Sequence, residues 1–376
     1  MEIIKGIKEA GTKAEHHGYY YKLSNIIEIM ILGLLCRMQT MKDIYYWATS
    51  KDVKVMLQIY FGIKKIPCYS HFTNLVGLLE SDELNKIFME FFSKLVGSVV
   101  GKTVSIDGKT VCSTANMKNY DSPLHIASAF VVENGITIGQ LATEAKSNEI
   151  PAVRELIKLL DITGATVVAD ALNCQKKTAK EVIKAGADYV FSVKKNQRNL
   201  YDDISEMVDF KINDEIEKRE SPMEKIVKID KGHGRIEKRT AYVSHDVEWL
   251  YNRDKWEGLQ TIGAIKTAAE TRYYISSRKL TAEQLLDITR SEWAVESMHW
   301  QLDVLWGEDV TTLHEENTQK TLNILRKTAL NILKTYRNNF APKLNIADIM
   351  RKCLHDTDFL LGVLLQFNDY ERNVTN

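Results

Sequence analysis

Asp107, Asp170 and Glu296 are the residues on which this chain's chemistry would rest. Asp107 falls in the middle of the run Thr103 to Thr110 (Thr-Val-Ser-Ile-Asp-Gly-Lys-Thr), a strand pattern in which a carboxylate is costly unless it is paired or holds a metal. Asp170 ends the apolar run Ala165 to Ala169, which reads as a fully buried strand. Ligands gather at the carboxyl ends of such strands. Glu296 belongs to the stretch Arg290 to Asp309, read as one helix with two faces. Ile288, Val295, Met298, Leu302 and Leu305 make a buried seam, while Glu292, Glu296, His299 and Asp303 share the same intervals beside it, flanked by Trp293, Trp300 and Trp306. If the two strands adjoin and the helix packs on their sheet, three carboxylates converge. They offer the hard oxygen ligands that Mg²⁺ prefers, and such a set can hold two ions about 3.5 to 4 Å apart, one activating an attacking oxygen and one steadying the leaving oxygen. Taken alone, the helix also admits a plainer reading, with solvated acids and His299 satisfied by a core hydrogen bond.

Positioning these groups requires a sheet with helices around it. Residues 101–197 supply one: strands at Thr103 to Thr110, His125 to Val132 and Gly135 to Ala142, a helix opened by Pro151, the buried strand before Asp170, a helix from Thr178 to Ala185, and a strand from Tyr189 to Val193. The turn signal Glu133-Asn134-Gly135 makes a hairpin of the second and third strands, and the alternating second half implies parallel pairing in a mixed sheet covered by helices. Residues 1–100 read as a helical domain, with an apolar stripe from Leu23 to Leu35 and a later helix after Pro67, with Ser70 as its N-cap. The string Cys68 to Phe72 fits either a DNA-contacting helix-turn-helix or a scaffold hairpin. Residues 198–280 are charged, with strand-like pieces at Ile226 to Ile229, Ile236 to Val243, Thr261 to Lys266 and Arg272 to Ser276, and read as a β-rich insertion. Residues 281–310 return as the core helix that carries Glu296. Residues 311–376 form a helical C-terminal region whose stripe is Leu322, Leu325, Ala329, Leu330 and Leu333. Between Thr318 and Lys343 that region carries Lys320, Arg326, Lys327, Lys334, Arg337 and Lys343 and no acid.

Composition sets the bounds. The 376 residues, 44% hydrophobic and 27% charged, suit a multi-unit globular protein. Lys plus Arg equals Asp plus Glu at 50 each, so whole-chain charge gives no argument for nucleic acid, and any such argument rests on local clusters. From Lys225 to Arg239 six basic residues meet only Asp230 and Glu237. On a strand starting at Gly234, Arg235 and Arg239 share a face with Glu237 between them, to grip DNA or to form a ladder of ion pairs. Lys109, two residues beyond Asp107, suits a phosphate or an ion pair equally. Glu149, at the start of a helix, favours the helix dipole. The five cysteines are scattered without zinc spacing, which fits a reducing compartment. The run Ile26 to Cys36 is broken by Glu28 and is too short to cross a bilayer, so neither export nor membrane insertion is expected.

Six motifs then occur in order: Ile106-Asp107-Gly108-Lys109-Thr110, Lys146-Ser147-Asn148-Glu149-Ile150, Asp170 to Gln175, Lys194-Lys195-Asn196-Gln197, Gly232 to Glu237, and Trp293 to Asp303. On these the chain resembles DDE transposases of bacterial insertion sequences, most closely the ISAs-type group with its H-repeat-associated proteins, over nearly its whole length. The resemblance implies an α/β fold with an RNase H-like core and a catalytic, metal-binding triad on Asp107, Asp170 and Glu296. It implies two Mg²⁺ ions, with Mn²⁺ as substitute, and double-stranded DNA, both element ends and target, as partner. A homodimer on DNA and a cytoplasmic, nucleoid-associated location follow. Lys109, Lys194, Lys195, Arg235, Arg239, Trp293 and Trp300 are the expected DNA contacts, the tryptophans either stacking on a base or packing in the core. Glu292, His299 and Asp303 are expected helpers, although the group carries His at position 292 and Asn at position 297, where this chain has Glu292 and Ser297. The rival readings are a domesticated, non-mobilising DNA-binding protein and a metal-dependent nuclease on the same core.

Overall fold

A computed structural model describes residues 21–111, 124–143, 149–216, 223–232, 235–310 and 315–374. Tyr19 and Tyr20, Lys146 to Asn148 and the His233-Gly234 pair lie outside the described residues, as do the side chains of Arg235 and Glu292. Among the described residues five helices precede the sheet: α1 (Leu23–Leu35), α2 (Met41–Thr49), α3 (Lys51–Phe61), α4 (Tyr69–Gly77) and α5 (Ser81–Val96). α1 is apolar almost all round and correspondingly buried. Thr40 and Asp43 cap α2 reciprocally. Cys68, rather than Ser70, precedes the first turn of α4, which buries Phe72 and exposes Tyr69, Ser70 and His71.

Among the described residues nine strands form one sheet in the order β3-β2-β1-β4-β5-β9-β8-β7-β6. β1 (Thr103–Thr110), β2 (His125–Val131) and β3 (Ile136–Ala142) are an antiparallel meander, turning between the last two at Gly135 with φ of 69°. β4 (Thr166–Ala169) and β5 (Asp188–Val193) run parallel to β1, reached through α6 (Glu149–Leu159) and α7 (Lys176–Lys184). The segment expected as an insertion holds α8 (Arg198–Ile216) and then β6 (Glu224–Gly232), β7 (Arg235–Ser244), β8 (Thr261–Lys266) and β9 (Thr271–Ser276). Its four strands do not make a sheet of their own. β9 pairs antiparallel with β5, so all four extend the sheet that carries Asp107. α8 buries Leu200, Ile204 and Val208, with Tyr201 and Met207 packed beside them, but acids and other polar residues at 199, 202, 203, 205, 206 and 209 interrupt that stripe and hid the helix in the sequence.

The core helix expected over residues 281–310 is two helices, α9 (Ala282–Arg290) and α10 (Glu292–Trp306), divided at Ser291. The seam divides with them. Ile288 packs with Leu285 and Leu286 over Val168, Val190, Ala241 and Ile265, whereas Val295, Met298, Leu302 and Leu305 join the main core. Gly307, left-handed at φ 57°, ends α10, and the Trp306 indole donates to the Leu34 carbonyl at 3.0 Å, locking this end to α1.

α11 (Glu316–Phe340), followed by α12 (Ile346–His355) and α13 (Thr357–Val374), corrects the expectation of an amphipathic basic tail. It is a central helix that touches α1, α5, α10 and β3, and it buries Arg326, Lys327 and Lys334 along with its leucines. Those side chains are 5% exposed or less and so do not form a solvated basic face. Lys334 sits with Nζ 4.7 Å from the centre of the Phe130 ring, and burial, then Arg337, pushes its pKa down to about 7. Between about pH 7 and about pH 10.4 the unfolded chain binds the extra proton, so the penalty of this lysine is full below pH 7 and fades as pH rises. Lys334→Met is therefore expected to raise the thermal unfolding midpoint by several degrees at neutral pH. A gain that stays constant up to about pH 10 would contradict the buried, depressed lysine.

Candidate active site

β1 lies between β2 and β4, with Asp107 opposite Ser128 on one side and Ile106 opposite Ala169 on the other. Asp170 follows Ala169 directly, so the two aspartates stand at the same end of neighbouring parallel strands. α10 packs across β1 and β2, and with Val295, Met298 and Leu302 buried beneath it, Glu296 is left exposed on the flank. A fourth carboxylate arrives from the opposite face of the sheet. Glu149, the first residue of α6, lies over Gly108, and a Cβ at that position would fall 2.0 Å from its Oε2. The Asn173 side-chain amide donates to Glu149 Oε1 at 2.7 Å and to Asp170 Oδ1 at 3.1 Å, and its backbone N–H donates to the same Oδ1 at 3.1 Å.

The electrostatics of this cluster are those of crowded acids. Burial, then Glu149 and Asp170, lifts the Asp107 carboxyl to about 7, and burial also raises Glu149. Among the described residues no lysine or arginine pairs with Asp107 or Asp170, and the donors are oxygens only, which suits a hard divalent cation. As arranged, no three acidic, His or Cys side chains among the described residues stand close enough to ligate one ion.

Behind Asp107 lies a second charged layer. Lys109, expected at a phosphate or in an ion pair, is in ion pairs: its Nζ meets Asp303 at 2.7 Å, Glu308 at 2.8 Å and Asp309 at 3.4 Å. Glu308 is 1% exposed and also accepts from Asn323 of α11 at 2.5 Å. Lys327 donates to Ser128 Oγ at 2.7 Å, on the residue paired with Asp107. His299 places Nδ1 3.6 Å from Asp107 Oδ2. Burial, then Lys327 and Lys109, drives its pKa down to about 3, so the imidazole is neutral and this contact is not an ion pair. Of the expected helpers, Asp303 is thus a partner of Lys109, His299 is a neutral neighbour of Asp107, and Glu292 opens α10.

The outward side carries the remaining candidates. Trp293 and Trp300, on either side of Glu296, are 56% and 64% exposed, so neither packs in the core. Lys194 and Lys195 are exposed after β5, at the rim of a 350 Å³ cleft shared with Tyr201 and Arg272. Their loop is tied to the one after Asp170, through Asn196 Nδ2 to the Ala171 carbonyl at 2.6 Å and Gln197 Nε2 to Gln175 Oε1 at 3.1 Å. Farther along, register puts positions 235, 237 and 239 on the face of Asp107 and at its end of the sheet. Arg239 pairs with Glu237 at 2.8 Å.

A family model for the transposase DDE domain matches residues 101–332, from just before β1 into α11, a span that includes β1 to β9 and the four carboxylates Asp107, Glu149, Asp170 and Glu296. The chain belongs to the DDE transposase family. It is 31% identical over 368 residues to the "H repeat-associated putative transposase YhhI" of Escherichia coli (strain K12), covering 94% of this chain and 93% of that one. It is 32% identical over 348 residues to the "Putative transposase YncI" of Escherichia coli O157:H7, covering 89% and 86%. The protein is a DNA transposase, an enzyme that cuts and transfers DNA strands. Among its described residues no helix is long and apolar enough to cross a membrane.

Sequence reasoning left two residues of this transposase unassigned to its site, Glu149 and Asn173. A signal for the first was present in Gly108, since a glycine in mid-strand beside a candidate ligand marks the close approach of another group. Asn173 gave none, because an asparagine in a loop is most often a turn residue.

Proposed function

We propose that the transposase nicks the ends of its element and joins them to target DNA at one site, formed by Asp107, Asp170 and Glu296 with Mg²⁺, or Mn²⁺ in its place. The observation that carries this reading is the clustering of carboxylates, without a paired lysine or arginine among the described residues, at adjacent strand ends beside α10. When bound, two such cations supply Lewis acidity to the phosphate and lower the pKa of an attacking water or hydroxyl. The protein's own part is positional. Asn173 fixes Asp170, the neutral His299 backs Asp107, and Glu296 approaches from α10 on the solvent side. In the first step water attacks phosphorus and the bond to the 3′ oxygen breaks, freeing a 3′-hydroxyl. In the second, that hydroxyl attacks a target phosphodiester, and the target strand's own 3′ oxygen leaves.

Lys194, Lys195 and the arginines at 235 and 239 would hold phosphates of one duplex running along the end of the sheet, their charge compensating a chain that is neutral overall. Two ends must be joined to one target, so the reading includes a homodimer on DNA. Incubation of the protein and Mg²⁺ with a labelled duplex bearing the element's terminal repeat and a plasmid target is expected to yield nicked ends and then joined molecules. Nicking that never proceeds to joining would favour a nuclease instead.

Trp293 and Trp300 are read as stacking on an unpaired or flipped base near the cleaved phosphate. A base–aromatic contact is worth about 1 to 3 kcal/mol, so replacing both with Ala is expected to slow cleavage about tenfold or more. Because both are exposed, thermal stability should not change. Full activity in the double variant would refute the stacking role.

A further inference from the structure

We propose that Glu149 is a fourth carboxylate of the cation site and that Asn173 is the positioning residue that decides which oxygens of Glu149 and Asp170 stay open. The proposal rests on the Asp107, Asp170 and Glu296 reading given above. Asn173 is fully buried, and its amide has two hydrogens to give. One goes to Glu149 Oε1 and one to Asp170 Oδ1, and since both acceptors are carboxylate oxygens, the amide can only be oriented this way. Asp170 Oδ1 accepts a second time from the Asn173 backbone, which leaves Oδ2 as that residue's open oxygen.

Glu149 is left with Oε2, and its location does not depend on these hydrogen bonds. It lies over the backbone of Gly108, in space that any Cβ at 108 would fill, one residue from Asp107. Glu149 comes from α6, on the face of the sheet opposite α10, so Gly108 is the opening through which a carboxylate from that side reaches the strand ends. Nothing in the packing of α6 requires this. Its buried side chains are Ala152, Val153, Leu156 and Ile157, all three or more residues beyond Glu149. Asp107, Glu149 and Asp170, the last two held by one buried amide, repel one another, and a divalent cation removes that repulsion.

The test measures Mn²⁺ binding to the full chain without DNA by calorimetry, with thermal unfolding in EDTA alongside. Glu149→Gln keeps the shape and the acceptor for Asn173 while removing the charge. It should weaken Mn²⁺ binding about tenfold and raise the unfolding midpoint in EDTA, because repulsion is relieved. Asn173→Ala, which frees both carboxylates, should weaken binding by about 10- to 100-fold. Gly108→Ala, which leaves Glu149 charged but displaces it, should reproduce the Glu149→Gln loss. A purely structural Glu149 would instead lower the midpoint in EDTA and leave Mn²⁺ affinity unchanged, and that result overturns the proposal. Asp107→Asn separates the two levels. If it abolishes Mn²⁺ binding while Glu149→Gln does not alter it, only the fourth carboxylate is lost; if it too leaves binding unchanged, the cation site itself is refuted.

Discussion

Glu296→Gln is expected to reduce end cleavage by about 10³-fold, the equivalent of about 4 kcal/mol of transition-state stabilisation, while end-DNA binding stays near the wild-type level. The substitution preserves volume and hydrogen-bonding capacity, so only the charge is lost. Glu296 is exposed on α10, with its neighbours Val295 and Met298 supplying the helix's buried contacts, so the fold does not depend on it. Gel-shift binding and a cleavage assay on the same preparation separate the two effects. An active Glu296→Gln protein would remove this residue from the site and with it the carboxylate from α10.

Lys109→Met is expected to produce the largest loss of stability, about 3 to 5 kcal/mol by chemical denaturation. Its ammonium lies within 3 Å of both Asp303 and Glu308, and Glu308 is 1% exposed. Removing one partner of a buried pair leaves the other charged group poorly compensated in a medium where that is costly. Adding Glu308→Gln should recover part of the loss, the mark of a coupled pair in a double-mutant cycle. The opposite pattern, unchanged stability with weakened DNA binding, would return Lys109 to a phosphate contact.

The sheet was legible because its strands carry local signals. Thr103 to Thr110 alternates, Ala165 to Ala169 is apolar apart from Thr166, and Asn134-Gly135 turns the hairpin, so each strand is visible in a short window. The proximity of Asp107 and Asp170 was legible for the same reason, as two acids in strands that tolerate few. The role of α11 was not. Arg326, Lys327 and Lys334 look like a solvated face, and what buries them is contributed from far away in the chain. Lys327 meets Ser128, Lys109 meets Glu308, and Asn331 bridges Thr137, each pair nearly two hundred residues apart. The break at Ser291 was hidden because the apolar spacing carries on through it, although the two halves pack into different clusters. Glu149 and Asn173 were missed for a related reason: twenty-four residues separate them, and only the parallel crossover brings them together.

The continuity of the nine-stranded sheet has a consequence for where the DNA is cut. β4, which ends just before Asp170, and β7, which bears Arg235 and Arg239, are separated by β5, β9 and β8. Four strand spacings of about 4.8 Å lead from Asp170 to the level of Val243, and Arg239 lies four residues, about 14 Å, farther along β7, past its last pairing with β8 at Thr240. On the proposed reading, a backbone gripped at Arg239 is thus held where the β6–β7 ribbon overhangs its neighbour, offset from a phosphate at Asp170 both across the strands and along them. The distance between the gripped sequence and the nick would then follow the length of that ribbon, and deleting two paired residues from each of β6 and β7, which keeps the faces, would shorten it.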